Sequence, residues 1–432
     1  MTQRSSAGAI GLALDTGTMG PMPPTPAQST AQDPQALLLR LLDPASRPDP
    51  YPVCAQLRDL GPVELPGGSF VMFSSYRDCD DVLRHPSSSS DHSKSTAAQR
   101  MIEADQTLRR ETPPGFLFLD PPDHTRLRKL VSKAFAPRVV NALQPEIGAL
   151  VDGLLGRIAE KGSFDVVADF AYPLPVAVIC RLLGVPLHDE PKFSRASAVL
   201  AKSLDPFFAD SEADDISNAL DAGASLREYL HSLIALRRRD PGDDLMSGLV
   251  AVNDSGDQLT EEEIVSTCLL LLVAGHETTV NLIGNAILAM LRDRRQWTAL
   301  SQDPSRASAV VEETLRYDPP VQQLSRIALD DMTIGGTNVA KGDMMTLLVA
   351  AAHRDPAEFE RPDVFDPDRV GLRHLGFGRG AHYCLGAPLA RLEASAALSA
   401  VTARFPGARL AGEPLYKPNL TLRGLSTLTV AV

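Results

Sequence analysis

Cysteine is scarce in this chain of 432 residues, and its placement excludes two common uses. The five cysteines are Cys54, Cys79, Cys180, Cys268 and Cys384, and no two of them form a Cys-x-x-Cys pair. An odd number at wide spacing indicates neither a disulfide framework nor a tetrahedral zinc site. We therefore expect a reducing environment, the cytoplasm.

Long apolar runs and an excess of positive charge are lacking as well. The longest apolar segment, CLLLLVAG at residues 268–275, is far shorter than the roughly 20 residues that cross a bilayer. No basic stretch leads into an apolar run near the N-terminus, as a secretory signal requires. The formal net charge of -12 disfavours non-specific attraction to nucleic acid or to an anionic membrane. These absences predict a soluble protein with no membrane anchor and no nucleic-acid partner.

Apolar residues make up 44% of the chain, which is enough for a large buried core, and most of their patterns are helical. Residues 1–34 are rich in small and polar residues without a sustained period, and we expect a disordered leader there. Residues 87–118 are serine-rich and patternless, which is typical of a loop or lid. A short β-prone section follows at residues 327–349. The sequence predicts one mainly α domain with a small β portion over residues 35–432.

The longest helical pattern begins at a capping box, Thr260-Glu261-Glu262-Glu263, and runs without proline to about Asp293. Both sides of this helix are apolar along much of its length, which indicates burial on all sides. A more polar segment, AGHETTVN, lies in its middle at residues 274–281.

This segment combines an acid, a hydroxyl group and a glycine. Glu277 needs partners inside a core and could pair with Asn281 one turn on. The Thr278 hydroxyl can donate to the carbonyl of Ala274, and Gly275 leaves room for a ligand against the backbone. Such a groove could deliver protons to a small bound molecule. The alternative is a polar patch that neighbouring helices satisfy.

A second group of charges follows the central helix. The motif ETLR places Glu313 and Arg316 three residues apart on one helix face, and Arg369 follows in a proline-rich loop. Most such pairs are solvated and contribute little to stability. If all three side chains were buried, they would fix the loop that leads to Cys384.

A third group precedes the central helix. The motif HTRLR places His124 and Arg128 four residues apart, on one face of a helix that begins at Asp123. Arg and His donate strongly to anionic oxygens, so this face could bind a carboxylate. Arg326, an isolated cation among apolar residues, could bind the same anion. The alternative is a basic helix that faces solvent.

The segment LGFGRGAHYCLG places Cys384 in a glycine-rich turn just before a predicted helix. Gly378 and Gly386 permit the close approach of a flat partner, and the start of the helix should stabilise a thiolate and lower its pKa. A nucleophilic thiolate would need a base, for which His382 is the local candidate. Zinc would need more ligands than this segment supplies.

A thiolate that ligates haem iron explains most of these features with the fewest assumptions, because the porphyrin supplies four ligands and the protein needs only one. Haem also explains why cations are needed at distant positions. The two propionates could be held by His124, Arg128, Arg326 and His382.

Five motifs in order resemble the cytochrome P-450 superfamily. FGRGAHYCLG fits its haem-binding signature, F-G-x-G-x-H-x-C-x-G, at every fixed position, and AGHETT fits its oxygen-activation motif. ETLR fits its E-x-x-R pair, FDPDR fits the segment with the second arginine, and HTRLR fits the helix at the haem propionates. The resemblance covers residues 35–432. One departure is AHRDP, where many relatives carry Asn before Arg-Asp-Pro, and we expect His353 to be structural.

The resemblance implies a triangular, mainly helical prism around haem b, with Cys384 as the thiolate that ligates the metal. Thr278 and Glu277 would then deliver protons as the catalytic pair. The structural ion-pair set would be Glu313, Arg316 and Arg369. Besides the residues at the propionates, the cofactor would contact Phe377, Gly378, Gly386, Ala274 and Gly275.

The implied activity is monooxygenation, by hydroxylation or epoxidation, of a bulky apolar small molecule with O2. Two electrons would come from a ferredoxin and its NAD(P)H-dependent reductase, because the sequence contains no flavin or iron–sulfur motif. A basic surface for an acidic ferredoxin could include Arg126, Lys129, Lys133, Arg379 and Arg391. Two alternatives remain, a peroxide-driven peroxygenase of the same fold and a haem-binding sensor without turnover.

Overall fold

The computed structural model describes residues 33–65, 69–104, 112–205, 213–254 and 259–432. Within these ranges sixteen α-helices make up most of the fold. They are α1 (Pro34–Leu42), α2 (Tyr51–Asp59), α3 (Tyr76–Arg84), α4 (Thr96–Ala104), α5 (Asp123–Ser132), α6 (Pro137–Ala142), α7 (Gln144–Ala159), α8 (Pro173–Leu183), α9 (Glu190–Lys202), α10 (Ala213–Arg239), α11 (Leu245–Asp254), α12 (Glu261–Arg292), α13 (Arg294–Gln302), α14 (Ala307–Tyr317), α15 (Val349–Ala352) and α16 (Ala387–Arg404).

Shorter helical turns connect these helices. A π-helical segment, Val166–Ala171, leads into α8. The 3-10 turns are Pro44–Ser46, His92–Lys94, Phe116–Phe118, Lys133–Phe135, Leu187–Asp189, Pro304–Arg306 and Gly380–His382.

The β portion is small and lies in four sheets of the described chain. Its strands are β1 (Val63–Glu64), β2 (Phe70–Phe73), β3 (Ser88–Ser89), β4 (Ser163–Asp165), β5 (Leu324–Ala328), β6 (Met332–Ile334), β7 (Thr337–Val339), β8 (Met344–Leu347), β9 (Arg409–Leu410), β10 (Leu415–Tyr416), β11 (Leu425–Thr427) and β12 (Thr429–Ala431). The largest sheet has the order β1-β2-β8-β5-β3, with β2 parallel to β8 and the other pairs antiparallel. The smaller sheets are β4-β12-β9, β6-β7 and β10-β11. The predicted class, mainly α with a small β portion, is confirmed.

Helix α12 is the central element of the core, as the sequence predicts. Its capping box is complete: the Thr260 hydroxyl accepts from the Glu263 N–H at 3.2 Å, and the Glu263 carboxylate accepts from the Thr260 N–H at 2.8 Å. The helix then runs for 32 residues and packs against α8, α9, α10, α14 and α16. Because neighbours surround it, α12 is buried along much of its length, including most of the polar segment at residues 274–281.

Two stretches of the described chain, Val166–Leu183 and Glu261–Arg292, are long and apolar enough to cross a membrane by length and composition alone. Within the protein, 61% and 56% of their most apolar windows are buried. Core helices commonly pass the same test, because a helix surrounded by other helices is also apolar on most sides. These stretches are therefore weak evidence for a membrane span.

Local predictions differ from the structure at two places. The segment at residues 87–118 is not a patternless loop in its described parts, because β3, α4 and two 3-10 turns lie within it. Residues 138–160, RVVNALQPEIGALVDGLLGRIAE, have a continuous helical pattern that predicts one helix, but the structure divides it between α6 and α7 at Leu143. The ring of Pro145 is tolerated only in the first turn of a helix, so a new helix begins there. Almost all of the expected leader lies outside the described residues.

Candidate active site

The segment around Cys384 folds into a tight loop before α16. The Gly378 N–H donates to the Leu375 carbonyl at 2.7 Å, and the Cys384 N–H donates to the Phe377 carbonyl at 2.8 Å. Gly378 and Gly380 adopt positive φ angles of 68° and 66°, which favour glycine. The loop therefore presents the sulfur at the start of α16, as the sequence predicts.

The environment of the Cys384 thiol differs from the prediction in one respect. Burial raises the pKa of Cys384, although backbone N–H groups of Gly386 and Ala387 and the charge of Arg128 act in the opposite direction. The expected lowering of the pKa by the helix start is thus outweighed by desolvation. A bound metal ion reverses that balance, because a coordinating thiol is deprotonated outright.

The other four cysteines show what is special about Cys384. Burial raises the pKa of Cys54, Cys180 and Cys268 to about 12, and that of Cys79 well above its usual range. No backbone N–H donor is among the causes of those four shifts, whereas two act on Cys384. Among the described cysteines, Cys384 is the one prepared to carry negative charge.

The four predicted propionate-binding residues converge near this loop. The rings of His124 and His382 lie 4.0 Å apart between centroids. Arg128 donates a hydrogen bond to the Tyr383 carbonyl, next to Cys384. Burial, with the charges of His124 and Arg326 nearby, lowers the pKa of His382 to about 3. Segments that are far apart in sequence thus form a single basic cluster.

This basic cluster contains buried polar groups without partners among the described residues. Both ring nitrogens of His124 are buried and have no hydrogen-bond partner among the described residues. Arg326 is 8% exposed, and it donates a hydrogen bond to the Ser325 carbonyl at 2.8 Å. Burial lowers the pKa of Arg326 to about 10. Asp120 is the opposing charge that acts on both His124 and Arg326. Buried polar groups are ordinarily satisfied, so the cluster fits a bound anion with several acceptor oxygens, such as the two carboxylates of haem.

Helix α12 has an accessible face at its polar segment, which we call the opening. Ala274 is exposed and Thr278 half-buried, although much of the helix is buried. The Thr278 hydroxyl donates to the Ala274 carbonyl at 3.0 Å, which confirms the predicted bond. This bond leaves the hydroxyl oxygen free to accept a hydrogen bond from a molecule in the opening.

The expectation for Gly275 is wrong. A Cβ atom at this position would lie 2.8 Å from Cδ1 of Ile179, a side chain of α8. Glycine at this position thus allows α8 to pack closely against α12 and does not leave room for a ligand. The sequence alone could not distinguish these uses, because either one requires a missing side chain.

The partner of Glu277 also differs from the prediction. Glu277 does not pair with Asn281 directly, because Nδ2 of Asn281 has no partner among the described residues; both side chains instead accept hydrogen bonds from Lys417. The Lys417 ammonium group contacts the Glu277 carboxylate and lies 3.2 Å from Asn281 Oδ1. Sequence reasoning missed Lys417, which lies 140 residues from Glu277 and in no recognisable motif.

The predicted ion-pair set is formed and buried. Arg316 donates to both carboxylate oxygens of Glu313, at 2.8 and 2.7 Å, and neither side chain is exposed to solvent. Arg369 donates to Glu313 Oε1 at 3.2 Å, and the Asp366 N–H donates to the same oxygen at 2.7 Å. The alternative of a solvated pair is wrong, because the side chains of Glu313 and Arg316 are fully buried. Their contacts also hold the loop ahead of the cysteine segment inside the protein.

His353 connects this ion-pair set to the cysteine segment. Its carbonyl accepts from Arg316 at 3.0 Å, and its Nε2 accepts from the Leu375 N–H at 2.7 Å. The side chain is fully buried, and burial lowers its pKa well below the usual range, so the imidazole is neutral. The expectation that His353 is structural is confirmed.

The five basic residues expected on a docking surface do not share one environment. Arg126 pairs with Glu263, Arg379 with Asp80 and Arg391 with Glu312. Lys129 and Lys133 are both exposed on or just after α5. Three of the five charges are therefore paired within the protein, which weakens them as attractors for an acidic partner.

Comparisons with known proteins agree with this geometry. The cytochrome P-450 family model matches residues 68–407. Vitamin D(3) 25-hydroxylase of Pseudonocardia autotrophica is 40% identical over 392 residues, 89% of this chain and 94% of that protein. The cytochrome P-450 monooxygenase PikC of Streptomyces venezuelae is 39% identical over 414 residues, 93% of this chain and 96% of that protein. The ligand-free crystal structure of Mycobacterium smegmatis CYP164A2 is 64% identical with a TM-score of 0.88, covering 92% of this chain and 100% of that one.

Proposed function

The chain belongs to the cytochrome P-450 family, and we propose that it hydroxylates or epoxidises a bulky apolar small molecule with O2 and electrons from a ferredoxin system. Its relatives are cytochrome P-450 monooxygenases and hydroxylases, and the family uses haem with a cysteine thiolate as axial ligand. The basic cluster carries the assignment of the haem site in this chain, because two arginines and two buried histidines converge there and the ring nitrogens of His124 have no hydrogen-bond partner among the described residues. When bound, haem supplies the iron centre that activates O2.

We assign the axial thiolate to Cys384. The N–H groups at the start of α16 and the charge of Arg128 stabilise negative charge on the sulfur. The two carboxylates of haem b are held by His124, Arg128, Arg326 and His382. The cysteine loop contributes Phe377, Gly378 and Gly386 to the cofactor site, and α12 contributes Ala274.

We assign proton delivery to Thr278 and Glu277. The Thr278 hydroxyl lies at the opening of α12 and can pass a hydrogen bond from ordered water to a molecule bound there. Glu277 is adjacent and can return a proton from solvent through the same water. Glu313, Arg316 and Arg369 touch neither substrate nor cofactor in this assignment, and they hold the loop that positions Cys384.

Two observations support the proposed substrate class: the apolar surface of α12 around the opening, and the similarity of the chain to a relative that is named for its substrate. The opening at Ala274 lies in a helix with a largely apolar surface, which favours an apolar ligand. One relative is named for its action on vitamin D(3), which is a bulky apolar molecule. An apolar guest of that size is the substrate that this chain is proposed to accept.

The redox partner is proposed to be an acidic ferredoxin with its NAD(P)H-dependent reductase, acting in the cytoplasm. Lys129 and Lys133 are exposed and can attract such a partner. If reduction by the ferredoxin does not slow with rising salt, electrostatic docking is wrong.

The decisive experiment combines spectroscopy with turnover. Purified wild-type protein should show the carbon monoxide absorption of thiolate-ligated haem, and the variant Cys384→Ala should lose it. The matched control, Cys54→Ala, removes a buried thiol outside the site and should keep the absorption. With ferredoxin and reductase, NAD(P)H consumption should yield oxidised product from an apolar substrate.

Two outcomes would favour the alternatives. Turnover sustained by peroxide alone, and unaffected by Thr278→Ala, would indicate a peroxygenase. Normal haem binding without coupled turnover of any apolar compound would indicate a sensor. The adjacent acid and hydroxyl of Glu277 and Thr278 argue against a sensor, because haem binding requires neither.

A further inference from the structure

The turn between β10 and β11, residues 417–424, reaches helix α12 beside its polar segment. Lys417 begins this turn, and its ammonium group donates to the carboxylate of Glu277 and to Asn281 Oδ1. The side chains of Lys417 and Glu277 are 21% and 11% exposed. Few water molecules can reach this ion pair, so neither side chain easily exchanges its partner for water. The pair therefore holds its two side chains in a more defined geometry than a solvated surface pair does.

The close approach of the turn to α12 depends on Gly424. The Lys417 N–H donates to the Gly424 carbonyl at 3.0 Å and closes the turn. A Cβ atom at position 424 would overlap the side-chain amide of Asn281. Glycine at this position therefore lets the turn lie against α12, with Lys417 within reach of Glu277.

The far side of the same turn is attached to the end of helix α9. The Asp205 carboxylate accepts from the Leu420 N–H at 3.0 Å and from the Thr421 N–H at 2.7 Å. The Thr421 hydroxyl donates to the Leu204 carbonyl at 3.0 Å.

The two sides of α12 differ in what they face. Glu277 and Asn281 are four residues apart and face the turn, whereas Ala274 and Thr278 are four residues apart and face the opening. Neighbouring residues of a helix are separated by about 100° around its axis. The Glu277 carboxylate therefore lies to one side of the Thr278 hydroxyl around the helix axis, and its contact with Lys417 sets its position relative to that hydroxyl.

We propose that Lys417 is a positioning residue for proton delivery: its ammonium group anchors the Glu277 carboxylate, and the Asp205 contacts hold the turn that supplies it. This inference rests on the proposed function, in which Glu277 returns protons to the opening. Lys417 itself neither gives nor takes a proton. Without it, the Glu277 carboxylate loses its cation and its fixed orientation, and each proton transfer through Thr278 slows.

The test compares Lys417→Met with wild type in electron-driven turnover. We expect kcat to fall roughly tenfold and the solvent deuterium isotope effect to rise, because proton transfer becomes slower. KM should change less than about twofold, since a positioning residue for the reaction step contributes little to substrate binding. Turnover driven by added peroxide should not fall, because peroxide brings its own oxygen atoms and protons. Lys417→Arg, which keeps a cation, should recover much of the loss.

A second measurement does not depend on turnover. Hydrogen exchange at residues 417–424 should quicken in Glu277→Gln, because the turn loses its charged contact to α12. Asp205→Ala should quicken exchange in the same residues from the other side of the turn. The matched control is Lys161→Met, which removes an ion pair with Asp169 elsewhere on the surface and should leave turnover and this exchange unchanged.

The outcomes separate the two proposals. Wild type that fails to couple NAD(P)H consumption to product overturns the proposed function. Wild type that couples normally, together with a Lys417→Met variant of equal kcat and isotope effect, overturns only the role of Lys417. A Lys417→Met variant that loses peroxide-driven turnover to the same degree also overturns that role, because the defect is then structural.

Discussion

The imidazole of His353 accepts a hydrogen bond from the backbone N–H of Leu375, with 2.7 Å between Nε2 and the amide nitrogen. The same residue offers its carbonyl to Arg316, so it joins the buried ion-pair set to the beginning of the cysteine loop. An acceptor nitrogen requires the neutral imidazole, and burial lowers the pKa of His353 accordingly. The position of the haem ligand therefore depends on a neutral histidine that contacts no ligand itself.

This arrangement predicts an acid sensitivity. In the unfolded chain the His353 pKa is about 6.5, so between that pH and the lower folded-state pKa the unfolded state binds more protons. Stability that is fully present above about pH 6.5 should be lost as the pH falls below it. Unfolding midpoints of the holoprotein from pH 7.5 to 5 measure the loss.

The matching variant for that titration is His353→Asn, whose amide oxygen can accept from Leu375 but does not titrate in this range. It should show a shallower decline of stability below pH 6.5 than wild type. If stability declined equally below pH 6.5 in the two proteins, protonation of His353 would not be the cause. Protonation of the other buried histidines would then have to explain the decline.

The second prediction concerns Glu313. Glu313→Gln should lower the free energy of unfolding by about 3–5 kcal/mol, because the guanidinium groups of Arg316 and Arg369 lose their shared buried counter-charge. Chemical denaturation and the haem content of the purified protein measure the effect. Arg77→Gln, at an exposed pair with Asp81, should leave stability unchanged. If both variants lost a similar amount of free energy of unfolding, burial of the Glu313 ion pairs would not explain the effect.

The third prediction concerns Arg326. Arg326→Gln should speed the loss of haem roughly tenfold or more, because a charged hydrogen bond to a buried carboxylate contributes about 1.5–3 kcal/mol. The rate of haem transfer to an acceptor globin measures it. Arg404→Gln, at the exposed end of α16, is the control and should keep the wild-type rate. An unchanged rate in Arg326→Gln would remove this residue from the proposed haem site.

The fourth prediction concerns Thr278. Thr278→Ala should bind substrate normally but release a larger share of its electrons as hydrogen peroxide, since the hydroxyl at the opening no longer guides protons. Product formed per NAD(P)H consumed, together with the peroxide yield, measures the change. Thr278→Ser keeps the hydroxyl and should restore most of the coupling. Normal coupling in Thr278→Ala would exclude the assigned role.

Much of the site was predictable because its signals are local. The capping box of α12, the Thr278–Ala274 bond and the Glu313–Arg316 pair each lie within about one helical turn, so sequence spacing determines which side chains meet. Likewise, the glycines around Cys384 predict a tight loop, and Gly378 and Gly380 adopt positive φ angles there.

The wrong predictions concern features that depend on residues far away in sequence or on the total burial of a side chain in the folded protein. Gly275 accommodates Ile179 of α8, which sequence spacing cannot reveal. The pKa of Cys384 was expected to fall because N–H groups face the sulfur, yet desolvation by the whole surrounding protein is larger and raises it. Burial of this kind is a property of the packed molecule and not of a motif.

The sequence by itself determined the helical class, the central helix with its acid and hydroxyl, and the cysteine loop, since each depends on neighbours within a few residues. Tertiary structure alone decided that Lys417 meets Glu277, that His353 supports Leu375 and that two arginines and two histidines converge on one cluster in which His124 lacks a partner. The reason is geometric: these contacts join residues that are far apart in sequence and become neighbours only in the folded chain. A pattern along the sequence reports local spacing and cannot reveal them.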